Sequence, residues 1–421
     1  MNKLSALLLS CFISIVLGQD YYKQKKAFLD SSNGFLVEYF DNYKIVNNLL
    51  NNERYKLVCC GLSVDNQTGF NGVFNTPVNN IAVDKALEAL PFFELLNVTN
   101  QVQSSSPIDN VTSPCYANLT DSPKNTTNLI TFTTQSTLPQ HVGVSADHYS
   151  LSPLQRASWL IYIAYFFDME YEANQLFHSL EKNYQCHQSN LKNSGAKNIA
   201  WTSMKLISVN NQTTAISNLT EFQNVLSSVD FVIDETPQDV FKDFSFAGWL
   251  AAANLSPSAT FSFINNKNVY RTDGLVNVKG YSDYPIRSPA RADLAISDII
   301  HMVYNTYEPS YNMTWLRAFA QSARAVYVSN ATYPSCTNPY ERLLINPCSI
   351  APFDPQNNNT ITGPSDSKNS YVQHGLSTGG KVGIAIGVVA IVAIIIGARF
   401  YFYRKNNPSS DGRMFFRMRD M

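Results

Sequence analysis

The chain has 421 residues, 45% of them hydrophobic, 12% aromatic and 15% charged. That apolar fraction suffices for a core and excludes wholesale disorder; the length admits two or three ordinary domains, or one large two-lobed one. Basic and acidic side chains nearly cancel, 31 against 32. Several of the basic ones crowd the C-terminus from Arg399 onward, so the body is mildly acidic, which argues against nucleic acid as the main partner.

Met1 to Gly18 carries Lys3, an apolar run from Leu4 to Leu17 and small residues at Val16 and Gly18. This predicts a signal peptide over 1–18, cut after Gly18. Asp20 to Lys56 reads as a leading segment with a helix carrying Phe28, Phe35, Leu36, Tyr39 and Phe40. Tyr55 to Cys60 predicts a buried strand, Phe70 to Asn80 is turn-rich, and Val83 to Leu96 has helical spacing. Ser104 to Asn128 is polar and expected at the surface, followed by short strands at Leu129–Thr134 and His141–Val144. Apolar steps of three and four then predict two helices, 153–167 and 169–187, with Asp168 capping the second. Beyond them the pattern predicts strands at Asn198–Thr202, Asp230–Asp234, Ala259–Phe263 and Asn268–Arg271. Helices are expected at Thr220–Val229, Asp239–Ala253, Arg291–Tyr304 and Trp315–Val326.

Strands alternating with helices on both sides of a helical joint define an α/β class with two α/β lobes, 19–152 and 191–355, joined by connecting helices over 153–190. An Asn/Ser/Gly-rich stalk follows over 356–381. Val382 to Ala398 holds no charge and, with the aromatic belt Phe400 to Tyr403, predicts a single transmembrane helix over 382–403. Arg399, Arg404 and Lys405 put the tail 404–421 in the cytosol by the positive-inside rule, giving a single-pass type I protein with its body outside.

Eleven Asn-X-Ser/Thr acceptors lie between signal and membrane segment: Asn66, Asn97, Asn110, Asn118, Asn125, Asn211, Asn218, Asn254, Asn312, Asn330 and Asn358. They suit a glycoprotein of the secretory pathway. Six cysteines remain after signal removal, an even count that reads as up to three disulfides in an oxidising compartment. Cys336 and Cys348 flank a short loop and are expected to pair. Neighbouring cysteines rarely bond each other, so Cys59 and Cys60 are expected to take Cys115 and Cys186, in either order. No C-x-x-C spacing supports a metal-thiolate alternative.

The run Ile161-Tyr-Ile-Ala-Tyr-Phe-Phe-Asp-Met-Glu-Tyr-Glu-Ala-Asn-Gln-Leu-Phe177 resembles the connecting-helix region of the Fe/B12 (siderophore/cobalamin) periplasmic-binding family. Ser152-Pro-Leu-Gln-Arg-Ala-Ser-Trp159, Leu90-Pro-Phe-Phe-Glu-Leu-Leu96 and Ser113-Pro114-Cys115 resemble eukaryotic membrane-anchored members. Lys197 to Trp201, Asn268 to Arg271 and Ala292 to Ile300 are similar, in the family's order, to later segments; the likeness covers about residues 55–330. It implies two lobes on one long helix with a ligand between them.

Candidate residues follow. Trp159, Tyr281 and Tyr284 are expected to line a cleft for a flat ligand, while Trp201 and Trp249 suit core packing better. Arg287 and Arg291, in the 281–291 loop, are candidates to clamp carboxylates or phosphates; the alternative is an ion pair with a nearby Asp. His141 and His148 flank Asp147 and are candidate metal ligands, with a surface or hydrogen-bonded histidine as the plainer reading. No Walker A, HExxH or GxGxxG pattern is present, and nothing argues for an enzyme. The expected function is a membrane-tethered extracytoplasmic solute-binding protein, its ligand of iron-siderophore, corrinoid, haem or metal type. The first alternative is a glycosylated structural or adhesive surface protein that keeps the fold without a ligand, and the second a secretory-pathway enzyme. No cofactor and no protein partner is named by the sequence.

Overall fold

The computed structural model describes residues 22, 33–63, 68–209, 212–336 and 347–355. The expected signal peptide, stalk, transmembrane helix and tail lie outside the described residues, as do Asn66, Asn211 and Asn358. Among the described residues no helix is long and apolar enough to cross a membrane.

The leading segment forms strands where a helix was expected. Strands β1 (Phe35–Tyr39), β2 (Tyr43–Asn48) and β3 (Glu53–Cys59) run antiparallel, and β4 (Gly72–Thr76) adds to β3 in parallel. The reason lies in the period: within β1 Phe35 and Val37 are buried while Leu36, Glu38 and Tyr39 are not, an alternation of two at the start of the strand. Strand β4 falls within the turn-rich stretch. At Gly72 a Cβ would come 2.4 Å from the Phe74 ring, so a side chain there would collide.

A second sheet is wholly parallel, with β5 (Ile81–Asp84), β6 (Val102–Ser106), β7 (Ile130–Thr133) and β8 (His141–Gly143) in the order β6-β5-β7-β8. Helix α1 (Ala89–Leu95) connects β5 to β6. The polar stretch expected at the surface therefore begins inside a sheet, where Ser104 and Ser105 are buried in β6. Small hydroxyls fit a crowded parallel sheet, and hydropathy hides them.

The two expected connecting helices resolve into α2 (Pro153–Ala157), α3 (Trp159–Ala164), a 3₁₀ turn (Tyr165–Phe167) and the long α4 (Glu170–Asn190). A capping box of Ser152 and Gln155 starts α2. Asp168 does not cap α4: it adopts the left-handed conformation, φ 54°, and pairs with the buried Lys44 at 2.7 Å. Ala173, Leu176 and Leu180 bury one face of α4 in the first apolar core, and α4 also packs on α9 (Ala292–Val303).

The third sheet runs β11-β10-β9-β12-β13. Strands β9 (Ile199–Thr202), β12 (Phe231–Asp234) and β13 (Val269–Arg271) are parallel, and β10 (Leu206–Val209) and β11 (Gln212–Ala215) form an antiparallel extension that the sequence reading did not include. Helices α5 (Leu219–Leu226) and α6 (Phe246–Ala252) cover the sheet around a second core centred on Trp249. Two expectations fail here. Ala259–Phe263 is no strand; the Phe261 carbonyl accepts from Ile264 and Asn265 and starts the short α7 (Ser262–Asn265). Trp315–Val326 is no helix. The backbone here is bonded to another strand instead: the Arg317 N–H and carbonyl pair with the Arg271 backbone and the Trp315 carbonyl accepts from the Gly274 N–H, while the fully buried Asp298 carboxylate holds the N–H groups of Thr314, Trp315 and Leu316 at 2.7, 2.7 and 2.9 Å. The chain instead reaches β15 (Val326–Tyr327), parallel to β14 (Leu275–Val276).

The described residues belong to one unit, a mixed α/β arrangement of one parallel and two mixed sheets with a small two-stranded ribbon. Its cysteines correct the expected pairing. Cys115 bonds Cys336, Cys186 bonds Cys348, and Cys59 bonds its neighbour Cys60. The C-terminal cysteines do not close their own loop, because residues 333–336 lie against the turn of Cys115 while 348–353 hydrogen-bond along the end of α4. With both partners taken, Cys59 and Cys60 are left to each other.

Candidate functional site

Helix α1 packs on α8 (Tyr284–Arg287). All seven residues of α1 are buried, Glu94 included. Pro285 occupies the first turn of α8, where a missing N–H costs nothing. Just before it, Asp283 is fully buried and joins three parts of the chain. Its carboxylate accepts from the Thr112 hydroxyl at 2.6 Å, the Trp315 indole N–H at 2.8 Å and the Arg287 Nε at 2.7 Å. Arg287 Nη2 also stands 2.6 Å from Asp283 Oδ2, close enough for Coulomb attraction but outside hydrogen-bonding direction. The guanidinium lies 5.1 Å from the Trp315 ring and 4.3 Å from the Tyr333 ring. Tyr333 in turn donates to the Glu94 oxygens at 3.0 and 3.2 Å.

These groups border a shallow, open indentation with a cavity volume of only about 10 Å³, room for about one water, lined by Pro91, Glu94, Leu95, Arg287, Arg291, Tyr333 and Pro334. Small-molecule sites usually begin at about 300 Å³. Arg287 and Arg291, the expected anion clamps, are thus both at the seam. Each is buried and paired, Arg287 with Asp283 and Arg291 with Asp293 through two bonds of 2.9 and 2.7 Å. Burial alone would lower the Arg287 pKa; the Asp283 charge outweighs it, helped by Tyr333 and Glu94, and holds it above its ordinary value. Burial, and then the Glu94 charge, push Tyr333 well up, so the phenol stays protonated and donates. Further ties cross nearby: Asn277 donates to the Asp109 and Val111 carbonyls, Lys279 pairs with Asp109, and Cys115–Cys336 adds a covalent link.

The other expected residues scatter. Trp159 is in the core, not a cleft: it is wholly buried, donates to the Asn33 carbonyl at 3.0 Å and packs on Phe35 and Tyr162. Tyr284 is half-buried, edge-on to Trp315 and 5.6 Å from Trp201, so it stands beside the seam. Tyr281 is exposed and does not line the indentation. His141, at the start of β8, meets the Thr137 hydroxyl, and His148 meets that of Ser150 two residues on. Among the described residues no three His, Cys, Asp or Glu side chains gather to hold a metal. Asn97, Asn118, Asn125, Asn218, Asn254, Asn312 and Asn330 are exposed, and Asn110 is half-buried.

Glu94, Asp283, Thr112 and Tyr333 were not singled out by the sequence reading. Glu94 alone gave a signal, a carboxylate inside the apolar run Leu90 to Leu96. Glu88, at the start of α1, is buried too, and its Oε1 has no hydrogen-bond partner among the described residues. Burial, then the charge of Asp147, raises its pKa well above the ordinary 4.5. A raised carboxyl contributes stability that is complete below its unfolded pKa and is lost as pH rises through the folded one. Glu88→Gln should therefore be more stable than wild type in mildly alkaline buffer, with the gap closing in acid. Thermal unfolding at both ends of the range measures this, and a gap independent of pH would reject it.

No family model matches the chain, and no curated protein matches it significantly. Several solved structures resemble it. A periplasmic binding protein from Veillonella parvula DSM 2008 is 11% identical with a TM-score of 0.37, over 56% of this chain and 88% of that one. The FhuD protein from S. pseudintermedius is 11% identical with a TM-score of 0.35, over 53% and 91%. The Helicobacter pylori CeuE structure with Ni(II) bound is 11% identical with a TM-score of 0.35, over 57% and 88%. Likeness at this level assigns no family and transfers no ligand.

Proposed function

We propose that the chain is a membrane-tethered extracytoplasmic solute-binding protein whose ligand contacts lie at the seam of α1 and α8. The observation that carries this is the convergence of Glu94, Arg287, Arg291 and Tyr333, from three separate stretches of sequence, on one indentation with apolar walls. Fixed polar groups beside apolar ones, here Pro91, Leu95 and Pro334, are a feature of small-ligand sites. Two arginines suit an anionic ligand, such as a siderophore chelate or the carboxylates of a corrinoid or haem. The test is native mass spectrometry of the full chain purified from its own source. A stoichiometric small molecule or metal chelate supports the reading; a bare chain in every preparation, with no siderophore, corrinoid or haem retained on addition, ends it.

One observation favours a second reading. Both arginines already have carboxylate partners, and a disulfide fastens the seam. A structural or adhesive surface protein that keeps the fold without a ligand would have this closed interface. The same mass measurement separates the two. The placement is also proposed: signal and membrane segments would put residues 19–381 outside and 404–421 in the cytosol, and exposed acceptors such as Asn97, Asn118 and Asn125 would then carry glycans. Glycosidase digestion should shift the mobility of the native protein by several glycans, and an unshifted band would contradict the outside placement.

A further inference from the structure

Tyr333 reaches the seam in an unusual way. The stretch after β15 has no regular structure, and Ser329, Asn330, Ala331 and Thr332 are all exposed. Tyr333 alone turns inward and is buried, and Ser335 is exposed again. Cys336 then fastens the stretch to Cys115. A single aromatic side chain is thus inserted from a surface strap into a groove built by other elements. The groove grips it by two specific contacts. A buried carboxylate, Glu94, accepts the phenol proton through both oxygens, and the Arg287 guanidinium lies over the ring face at 4.3 Å. A hydroxyl on a buried charged acceptor and a ring on a cation are the contacts by which a protein would recognise a free phenol. Arg287 is held by Asp283 and Trp315 independently of the strap.

We propose that the groove between α1 and α8 is a slot for a phenolic ring, occupied in this state by the chain's own Tyr333 on a strap tethered through Cys115–Cys336. This deepens the solute-binding reading and rests on it for its biological use: a solute bearing a hydroxylated aromatic ring would enter by displacing Tyr333. The strap then acts as a built-in competitor that lowers apparent affinity by the fraction of time it occupies the slot.

The probe is p-cresol, the tyrosine side chain as a free molecule, with 4-methylanisole as a control that lacks the hydroxyl proton. Binding to the full chain is read by saturation-transfer NMR and titration calorimetry. Tyr333→Ala should take one p-cresol, at least about tenfold more tightly than 4-methylanisole, the worth of a hydrogen bond to a charged acceptor. Wild type should take neither at the same concentrations. A folded Tyr333→Ala chain that binds neither compound, or both equally, overturns the slot. Wild type binding p-cresol as well as the variant does overturns the claim that Tyr333 fills it. The double variant Cys115→Ser/Cys336→Ser keeps the tyrosine but releases the strap. It should bind p-cresol more weakly than Tyr333→Ala and more tightly than wild type. If Tyr333→Ala does not fold, the double variant decides alone, and its failure to bind p-cresol rejects the proposal. A bare chain in the mass measurement together with p-cresol binding to the variant would end the solute-binding reading while leaving the slot intact; the reverse result would do the opposite.

Discussion

Asp283→Ala should destabilise the protein by about 3–5 kcal/mol, the usual cost of removing one partner from a buried ion pair. The size follows from what the substitution leaves behind. Asp283 and Arg287 are both buried. The Arg287 charge would stay in the interior with Asp283's field removed, and Thr112 and Trp315 would lose the acceptor of their hydrogen bonds. Unfolding in urea measures the loss. Adding Arg287→Met to Asp283→Ala should recover part of it, because the second change removes the stranded charge. A single variant within about 1 kcal/mol of wild type, the range of a surface ion pair, would show that the pair is solvated after all. The same geometry makes deletion of the arginine costly as well. Arg287→Ala would strand Asp283 in the same way, so a binding loss in that variant would be inseparable from a folding loss.

Trp159→Ala should cost about 3–5 kcal/mol, the range for deleting a large buried aromatic. The indole packs between Phe35 of β1 and Tyr162 of α3, with ring centroids 5.5 and 4.5 Å away, and its N–H is paired with Asn33. Truncation opens a cavity between β1 and α3 and removes the indole donor to the Asn33 carbonyl. Had Trp159 lined a ligand cleft, the variant would unfold like wild type and lose binding instead. Chemical denaturation distinguishes the cases: a midpoint unchanged from wild type would return Trp159 to a cleft wall.

Local period was the most readable feature of the sequence. It placed β3, β7, β9, β12, β13, α4 and α9 to within a few residues, since each carries an apolar pattern that its own neighbours enforce. It failed where distant groups decide. The serines of β6 read as surface because burial beside β5 is set by the sheet and not by their own polarity. Trp315–Val326 has a helix-compatible composition, yet the backbone of Arg271 and Gly274, on another element, pairs with the peptide groups of Trp315 and Arg317. At the site, Arg287 and Arg291 were visible as charges in a short loop, but their partners were not all visible with them. Glu94 and Tyr333 lie 239 residues apart, and no local pattern links them. The disulfides misled for the same reason: proximity in sequence suggested Cys336 with Cys348, whereas packing brought each to a cysteine 221 or 162 residues earlier.

Those separations also set an order of events on the ribosome. A chain grows from its N-terminus at about 5–20 residues per second, so Cys115 is made on the order of ten to forty seconds before Cys336. Cys186 waits somewhat less for Cys348. Over that interval an oxidising compartment would offer the nascent chain four early thiols, Cys59, Cys60, Cys115 and Cys186, with no correct long-range partner for the last two. Pairing Cys59 with Cys60 needs nothing from downstream. It withdraws two thiols from the pool and leaves Cys115 and Cys186 with only each other to mispair with until the last stretch of the body arrives.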